Sequence, residues 1–312
     1  MSSIESVIPV HTYSIVARDP QTGELGVAVQ SHAFSVGSIV SWAEAGVGAV
    51  ATQSYSRLDY GPEGLALMRI GLTASQALES LVQNDPDREV RQVAMVDAQG
   101  HSAVHTGQKC IAAAGHIAGE NFSIQANLMI DASVVPAMQV AFEATHGEEL
   151  VERLIATLEA AQAVGGDIRG QQSAALLVVS GERHEKPWLG RIYDLRVEDH
   201  PHPVEELRRL YHFRKASLML DEAEKLFEAQ QLDEAQSVVD EALSLVPDFV
   251  EFRFWLAVAL FTAGQEAEAK RYFHQVFEKE SIWRDILRRL VAAGRFPDDP
   301  AILKQILEDS GE

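Results

Sequence analysis

Residues 11–53 read HTYSIVARDPQTGELGVAVQSHAFSVGSIVSWAEAGVGAVATQ, and the fold of the first two-thirds of the chain follows from them. Thr12–Arg18 is rich in β-formers, Asp19-Pro20-Gln21-Thr22-Gly23 carries turn chemistry, and Glu24–Ser31 returns as a second strand. Ser38–Ala43 and Val47–Thr52 read as a further pair around Glu44-Ala45-Gly46. Four strands joined by short turns predict an antiparallel meander. They leave no room for the crossover helices that a parallel sheet requires.

Outward from this run, Gly61-Pro62 suits a helix start, and Thr73-Ala74-Ser75-Gln76 has the spacing of a capping box for a second helix that ends before Asp85-Pro86. Strands are predicted again at Arg91–Asp97 and His101–Thr106, with extended segments at Cys110–Ala118 and Phe122–Leu128. A helix capped by Ser133 ends at Gly147, and Glu148–Val164 is amphipathic, stopped by Gly165-Gly166. Ser173–Ser180 and Gly190–Val197 close the region as strands. Strands interrupted twice by helix pairs fit an α+β architecture, a four-layer α-β-β-α antiparallel sandwich over residues 11–203, with 1–10 as a leader.

From residue 204 to 312 glycine nearly vanishes and the chain reads as helix after helix. Shifted by 34 positions, the sequence meets itself: Ala223 with Ala257, Leu226 with Leu260, Phe227 with Phe261, Ala235 with Ala269. That period, the small residues at helix crossings and Pro247 after the second helix resemble tetratricopeptide repeats, with units at 216–249 and 250–283. Such repeats imply a protein partner. So few units leave a face to bury, and a homodimer is expected.

Composition excludes several functions. The chain has 312 residues, 26 basic and 46 acidic, for a net charge of −20, the wrong sign for a phosphate-binding footprint. No run approaches the ~20 apolar residues of a membrane span. MSSIESVIPVH lacks a basic segment followed by a long apolar one, so no secretory signal is expected. The single cysteine, Cys110, cannot form an internal bridge and sits in an apolar run as a buried small side chain; a cytoplasmic setting is the expectation. His101 and His105, and the His200/His202 pair in HPHP, lack zinc-motif spacing, and no metal is expected. Gly46-Val47-Gly48 does not follow a strand into a helix and is no dinucleotide fingerprint; no cofactor is expected.

Thr12 opens a strand that turns directly into a second one. This resembles the layout of an N-terminal nucleophile hydrolase, where a Thr, Ser or Cys attacks a carbonyl and its own freed α-amine is the base. A β-branched residue merely entering a strand is the other reading. The runs quoted above, with GPEGLALMRIGLTASQALESL, VDAQGHSAVHTG and GGDIRGQQSAALLVV, resemble the bacterial family named domain of unknown function 1028, over most of residues 11–203.

The resemblance implies the sandwich and a cofactor-independent hydrolase of amide or related bonds in a small molecule or peptide. Thr12 is then the candidate nucleophile. Ser31, His32, Glu44, Gln53, Gln171 and Gln172 are candidate cleft residues. Asp167 and Arg169 either hold a substrate carboxylate or orient the nucleophile, or form a structural pair that shapes their loop. Asn127 either donates to an oxyanion or stabilises a turn. Two features depart from the pattern. Residues 1–11 acylate the Thr12 amine unless His11–Thr12 is cleaved, and no lysine precedes Lys109. The competing function is a non-catalytic sandwich that binds a ligand, with repeats that dock a partner.

Overall fold

The structure, a computed structural model, describes residues 8–308. Eleven strands form two antiparallel sheets among the described residues. The first contains β1 (Ile8–Val10), β4 (Ser41–Glu44), β5 (Gly48–Ser56), β6 (Arg91–Asp97) and β7 (Ser102–Thr106). Within it β5 is central: β6 pairs with one edge, and β4 and β1 share the other. The second sheet runs β11 (Arg191–Val197), β10 (Ser173–Val179), β3 (Leu25–Ser31), β2 (Thr12–Arg18), β9 (Phe122–Ala126) and β8 (Gly115–Gly119).

Helices cover the outer faces. α2 (Tyr60–Arg69) and α3 (Ala74–Gln83) pack on the first sheet; α4 (Val134–Ala144) and α5 (Leu150–Ala163) pack on the second. The four-layer sandwich is thus the observed architecture. The Thr73–Gln76 capping box opens α3 as its spacing predicts. Between α3 and β6, the buried Asp85 carboxylate takes the Arg91 guanidinium at 2.9 Å and the Tyr60 hydroxyl at 3.0 Å.

Two local expectations are corrected. The first four strands do not form one meander: they are two hairpins, β2–β3 and β4–β5, in opposite sheets. The chain must turn a corner between them, so residues expected at the start of a strand form the short helix α1 (Gly37–Val40). Gly37 lies where a Cβ would strike Ala175, and Val36 and Val40 are buried in the core, which fixes this corner. The segment from Cys110 is not extended until β8. It is a looped excursion in which Cys110 is only half-buried, its Sγ donating to the Arg91 carbonyl. Burial raises the thiol pKa, which fits an unreactive side chain.

The core between the sheets changes character along its length. At the β2–β3 turn end it is aliphatic, built from Val16, Leu25, Val27, Val29, Ala49, Ala51, Val96 and Leu177. Continuing along the same inward faces, the residues become Thr12, Ser14, Ser31, Gln53, Gln92, Gln125 and Ser173, all fully buried. The site lies at this polar end.

The remaining residues form α6 (Pro203–Glu228), α7 (Leu232–Leu245), α8 (Val250–Thr262), α9 (Glu266–Lys279), α10 (Ile282–Ala292) and α11 (Pro300–Glu308). The chain divides into two units at Leu210/Tyr211, inside α6. The start of α6 belongs to the first unit because Val204 and Leu207 are buried there and Arg208 bridges Glu152 and Glu159 of α5. In the second unit α8 and α9 form a closely packed pair, with Ala223, Ala235, Ala257 and Ala269 fully buried in the shared core, as the 34-residue register requires. None of the described helices is long and apolar enough to cross a membrane.

Candidate active site

Thr12 is the first residue of β2, paired with Ser31 at the end of β3. It is fully buried, and its Oγ donates to the Val10 carbonyl at 2.9 Å. Its hydroxyl is thus tied to the segment before it. β1 lies antiparallel on the β5 edge, with Val10 opposite Ser54, so the chain crosses from one sheet to the other at His11. The segment expected to be a bare leader is, from Ile8 onward, a strand of the sandwich.

The His11 carbonyl, which forms the peptide bond to Thr12, accepts two hydrogen bonds: from Ser31 Oγ at 2.6 Å and from Arg169 Nη2 at 2.8 Å. Arg169 is held in place by Asp167, whose Oδ2 lies 2.7 Å from Nη2 and whose Oδ1 accepts from Nε at 3.0 Å. The Asp167 carboxylate also takes the main-chain N–H of Arg169 and of His32. This paired, planar fork is the geometry for which arginine is suited. The loop after α5 brings the pair here through Gly165, Gly166 and Gly170, all at positive φ.

The His11 ring is nearly buried, packed edge-on against Tyr55 with ring centres 5.5 Å apart. Its Nδ1 lies 2.8 Å from Asn127 Oδ1. Burial holds the imidazole pKa below its usual value; Asn127 and Asp167 oppose the shift and the Arg169 charge adds to it. Asn127 Nδ2 donates to Gln92 Oε1, which fixes the amide with its oxygen toward His11, so Nδ1 is the donor and carries the proton. The main-chain N–H of Asn127 donates to the Thr12 carbonyl, and Gln53 Nε2 donates to the same oxygen at 3.2 Å. Gln53 further joins Ser14 and Gln92, and Gln125 Nε2 donates to Ser14 Oγ. Between Gln53 and Tyr55, Ser54 holds a left-handed backbone (φ 72°), strain of the kind that collects at functional sites.

Thr12, Ser31, Asp167, Arg169, Asn127 and Gln53 therefore meet, with Asn127 and Gln53 as buried positioning groups and not cleft walls. His32, Gln171 and Gln172 lie just outside and, with Asp199 and His200, line a cavity of about 310 Å³. Glu44 does not belong here. It ends β4 opposite Gly48, at the aliphatic end of the sandwich, in an ion pair with Arg69. Its place among the candidate cleft residues comes from the family resemblance alone, which carries no information on which end of the sandwich the β4–β5 turn occupies.

Of the histidines weighed as ligands, His101 pairs with Asp97 and His105 with the Arg88 carbonyl, and no group of three or more His, Cys, Asp or Glu able to hold a metal occurs among the described residues. Sequence reading missed Gln92, Gln125, Tyr55 and the role of His11. The available signal was a glutamine at an inward position of an otherwise apolar strand, as in RQVAMVD and FSIQA.

The family described as "Family of unknown function (DUF1028)" matches residues 12–207, and a tetratricopeptide repeat matches residues 226–281. Among solved structures, the protein SPO2555 from Silicibacter pomeroyi, of the same family, is 31% identical and superimposes with a TM-score of 0.58 over 64% of this chain and 88% of that one. Anbu, the ancestral β-subunit from Yersinia bercovieri, aligns at 11% identity and a TM-score of 0.32, over 64% of this chain and 93% of its own. No curated protein matches the sequence. By a match that spans the whole sandwich from Thr12 onward, the chain belongs to the DUF1028 family and carries a tetratricopeptide repeat behind it.

Proposed function

We propose that the sandwich is an amide hydrolase of the N-terminal nucleophile type, held before cleavage, in which Thr12 first cuts the peptide bond that precedes it. One observation carries this reading: the His11 carbonyl oxygen sits between two converging donors, Ser31 Oγ and Arg169 Nη2, at 2.6 and 2.8 Å. Two donors on one carbonyl are how acyl-transfer sites stabilise a developing oxyanion. The hydroxyl of the next residue is the nearest nucleophile along the chain.

In the proposed step Thr12 Oγ attacks the His11 carbonyl carbon. The C–O bond forms, the C–N bond breaks, and the hydroxyl proton passes to the departing nitrogen. Water then hydrolyses the ester, leaving a His11 carboxylate and a free Thr12 amine. That amine becomes the base for later turnovers on an amide substrate. Arg169 supplies the cation that the missing lysine leaves unfilled. A nearby positive charge lowers an amine's pKa and keeps a larger share of it unprotonated, while Asp167 limits the effect. The repeats are read as the docking site for a protein partner, with a homodimer as the expected assembly.

Intact-mass spectrometry of the purified full chain tests the proposal. Wild type should lose the mass of residues 1–11, Thr12→Ala should stay whole, and only the cleaved chain should hydrolyse members of an amide panel. A wild-type chain that stays whole leaves the competing function, a ligand-binding sandwich without catalysis. Full burial of Thr12, with its hydroxyl bonded to Val10 of β1, favours that function if the segment never leaves.

A further inference from the structure

The segment bonded to Thr12 also fills a defined set of contacts beside it. We infer that the space filled by His11 is the acyl-side specificity pocket of the cleaved chain, and that it selects an extended peptide or acyl group whose last residue is histidine or another planar side chain with an N–H donor. This rests on the self-cleavage reading above and adds the substrate class to it.

The bond to be cut is presented as a bound substrate would be. Its carbonyl lies between Ser31 Oγ and Arg169 Nη2. On the acyl side, the chain runs antiparallel along the β5 edge, Ile8–Val10 against Ser54–Ser56. Strand addition of this kind gives main-chain affinity and leaves specificity to alternate side-chain pockets. The His11 ring occupies one such pocket, only 6% exposed. One wall is the Tyr55 ring; the other is Asn127 Oδ1, 2.8 Å from Nδ1. Val10 fills the next position, fully buried among the aliphatic side chains of the inner core.

Departure of the segment takes the His11 partner from three groups at once: Ser31 Oγ and Asn127 Oδ1 lose the bonds described, and Arg169 Nη2 keeps only Asp167. Asn127 cannot turn its amide to compensate, because Nδ2 is committed to Gln92 at 2.9 Å. Buried polar groups left unpaired are costly, so the ligand that restores all three bonds is preferred. The first two require a carbonyl or carboxylate oxygen. The third requires an N–H, which alanine or phenylalanine at that position lacks. A site built around a hydrogen bond rejects analogues without the donor far more strongly than an apolar pocket rejects a missing methylene.

The test uses the full chain in two measurements. First, self-cleavage is followed by intact mass in wild type, His11→Phe and His11→Ala. Both variants should slow at least 10-fold, and equal rates overturn the inference. Second, wild type is allowed to cleave, is dialysed free of the released segment, and is titrated calorimetrically with acetylated proline-valine-histidine and its phenylalanine counterpart. The histidine peptide should bind at least 10-fold more tightly, and Asn127→Leu should erase the difference. Equal binding of the two peptides overturns the inference and leaves self-cleavage standing. Absence of cleavage in wild type overturns both. The His11 series does not depend on whether Asn127→Leu folds.

Discussion

Ser31→Ala is the sharpest perturbation of the proposed chemistry. It removes one donor to the His11 carbonyl, at 2.6 Å, and leaves the other, Arg169 Nη2 at 2.8 Å, in place. Changing Arg169 instead would leave the fully buried Asp167 side chain without its cation, a loss of about 3–5 kcal/mol that would mix folding with chemistry. In Ser31→Ala no charged group is orphaned. The His11 oxygen keeps one bond, and the folding cost is one ordinary hydrogen bond, about 0.5–1.5 kcal/mol. If the donor pair holds a developing oxyanion, losing one member should slow self-cleavage by roughly 10²–10³-fold, or about 2.7–4 kcal/mol of barrier. The assay is a time course of intact mass on freshly purified chain, with circular dichroism to confirm that the sandwich is formed. Cleavage of Ser31→Ala within about threefold of wild type would refute the reasoning, because a carbonyl that needs no second donor is not being held for attack.

Three further outcomes follow from the same structure. Burial lowers the His11 pKa, so the unfolded chain binds more protons than the folded one just below about pH 6.5; stability of the uncleaved chain should therefore decline as pH falls from there, and His11→Gln should remove part of that slope in urea titrations, the remainder including His116, which partial desolvation and the neighbouring His105 shift the same way. Asp85→Ala takes from the buried Arg91 guanidinium its 2.9 Å carboxylate, leaving Asp87 at 3.8 Å and the Tyr55 carbonyl, and should cost up to about 3–5 kcal/mol by urea unfolding. Burial pushes the Asp85 carboxyl up, but Arg91, the Asp87 N–H and Tyr60 together hold it below its usual range, so its contribution should vanish as acid protonates it. In the repeats, Ala235→Leu or Ala269→Leu should overpack a fully buried contact and cost about 1–3 kcal/mol, and unchanged thermal unfolding of both would contradict the helical register.

The architecture was legible because its signals are local. Turn chemistry at Asp19–Gly23 set the first hairpin, the Thr73–Gln76 box set α3, and a 34-residue self-match set the repeats. The partition of hairpins between sheets was not legible, since a strand's sequence does not say which neighbour it pairs with. Glu44, taken from the family likeness, lies at the other end of the sandwich because its hairpin belongs to the opposite sheet. At the site, Thr12, Ser31 and Arg169 stood out by position or by family likeness. His11 did not, because the residue before a nucleophile is ordinarily read as something to be discarded. Gln92 and Gln125 come from strands far along the chain, and only the closed sandwich brings them to Ser14 and Gln53.

The inner core, aliphatic at one end and amide-lined at the other, should answer substitution in two different ways. Where Val27, Val29, Ala51 and Val96 meet, attraction is non-directional, and swaps that conserve volume should cost less than about 1.5 kcal/mol. Where Ser14, Gln53, Gln92 and Gln125 interlock, each amide serves several partners at 2.6–3.4 Å, so no isostere satisfies them and each removal orphans a neighbour at about 1–3 kcal/mol. One core thus holds a half that sequence drift can rewrite and a half that it cannot. The immutable half is the one that carries Thr12, so the residues that align the two sheets most strictly are the same ones that fix the candidate nucleophile in space.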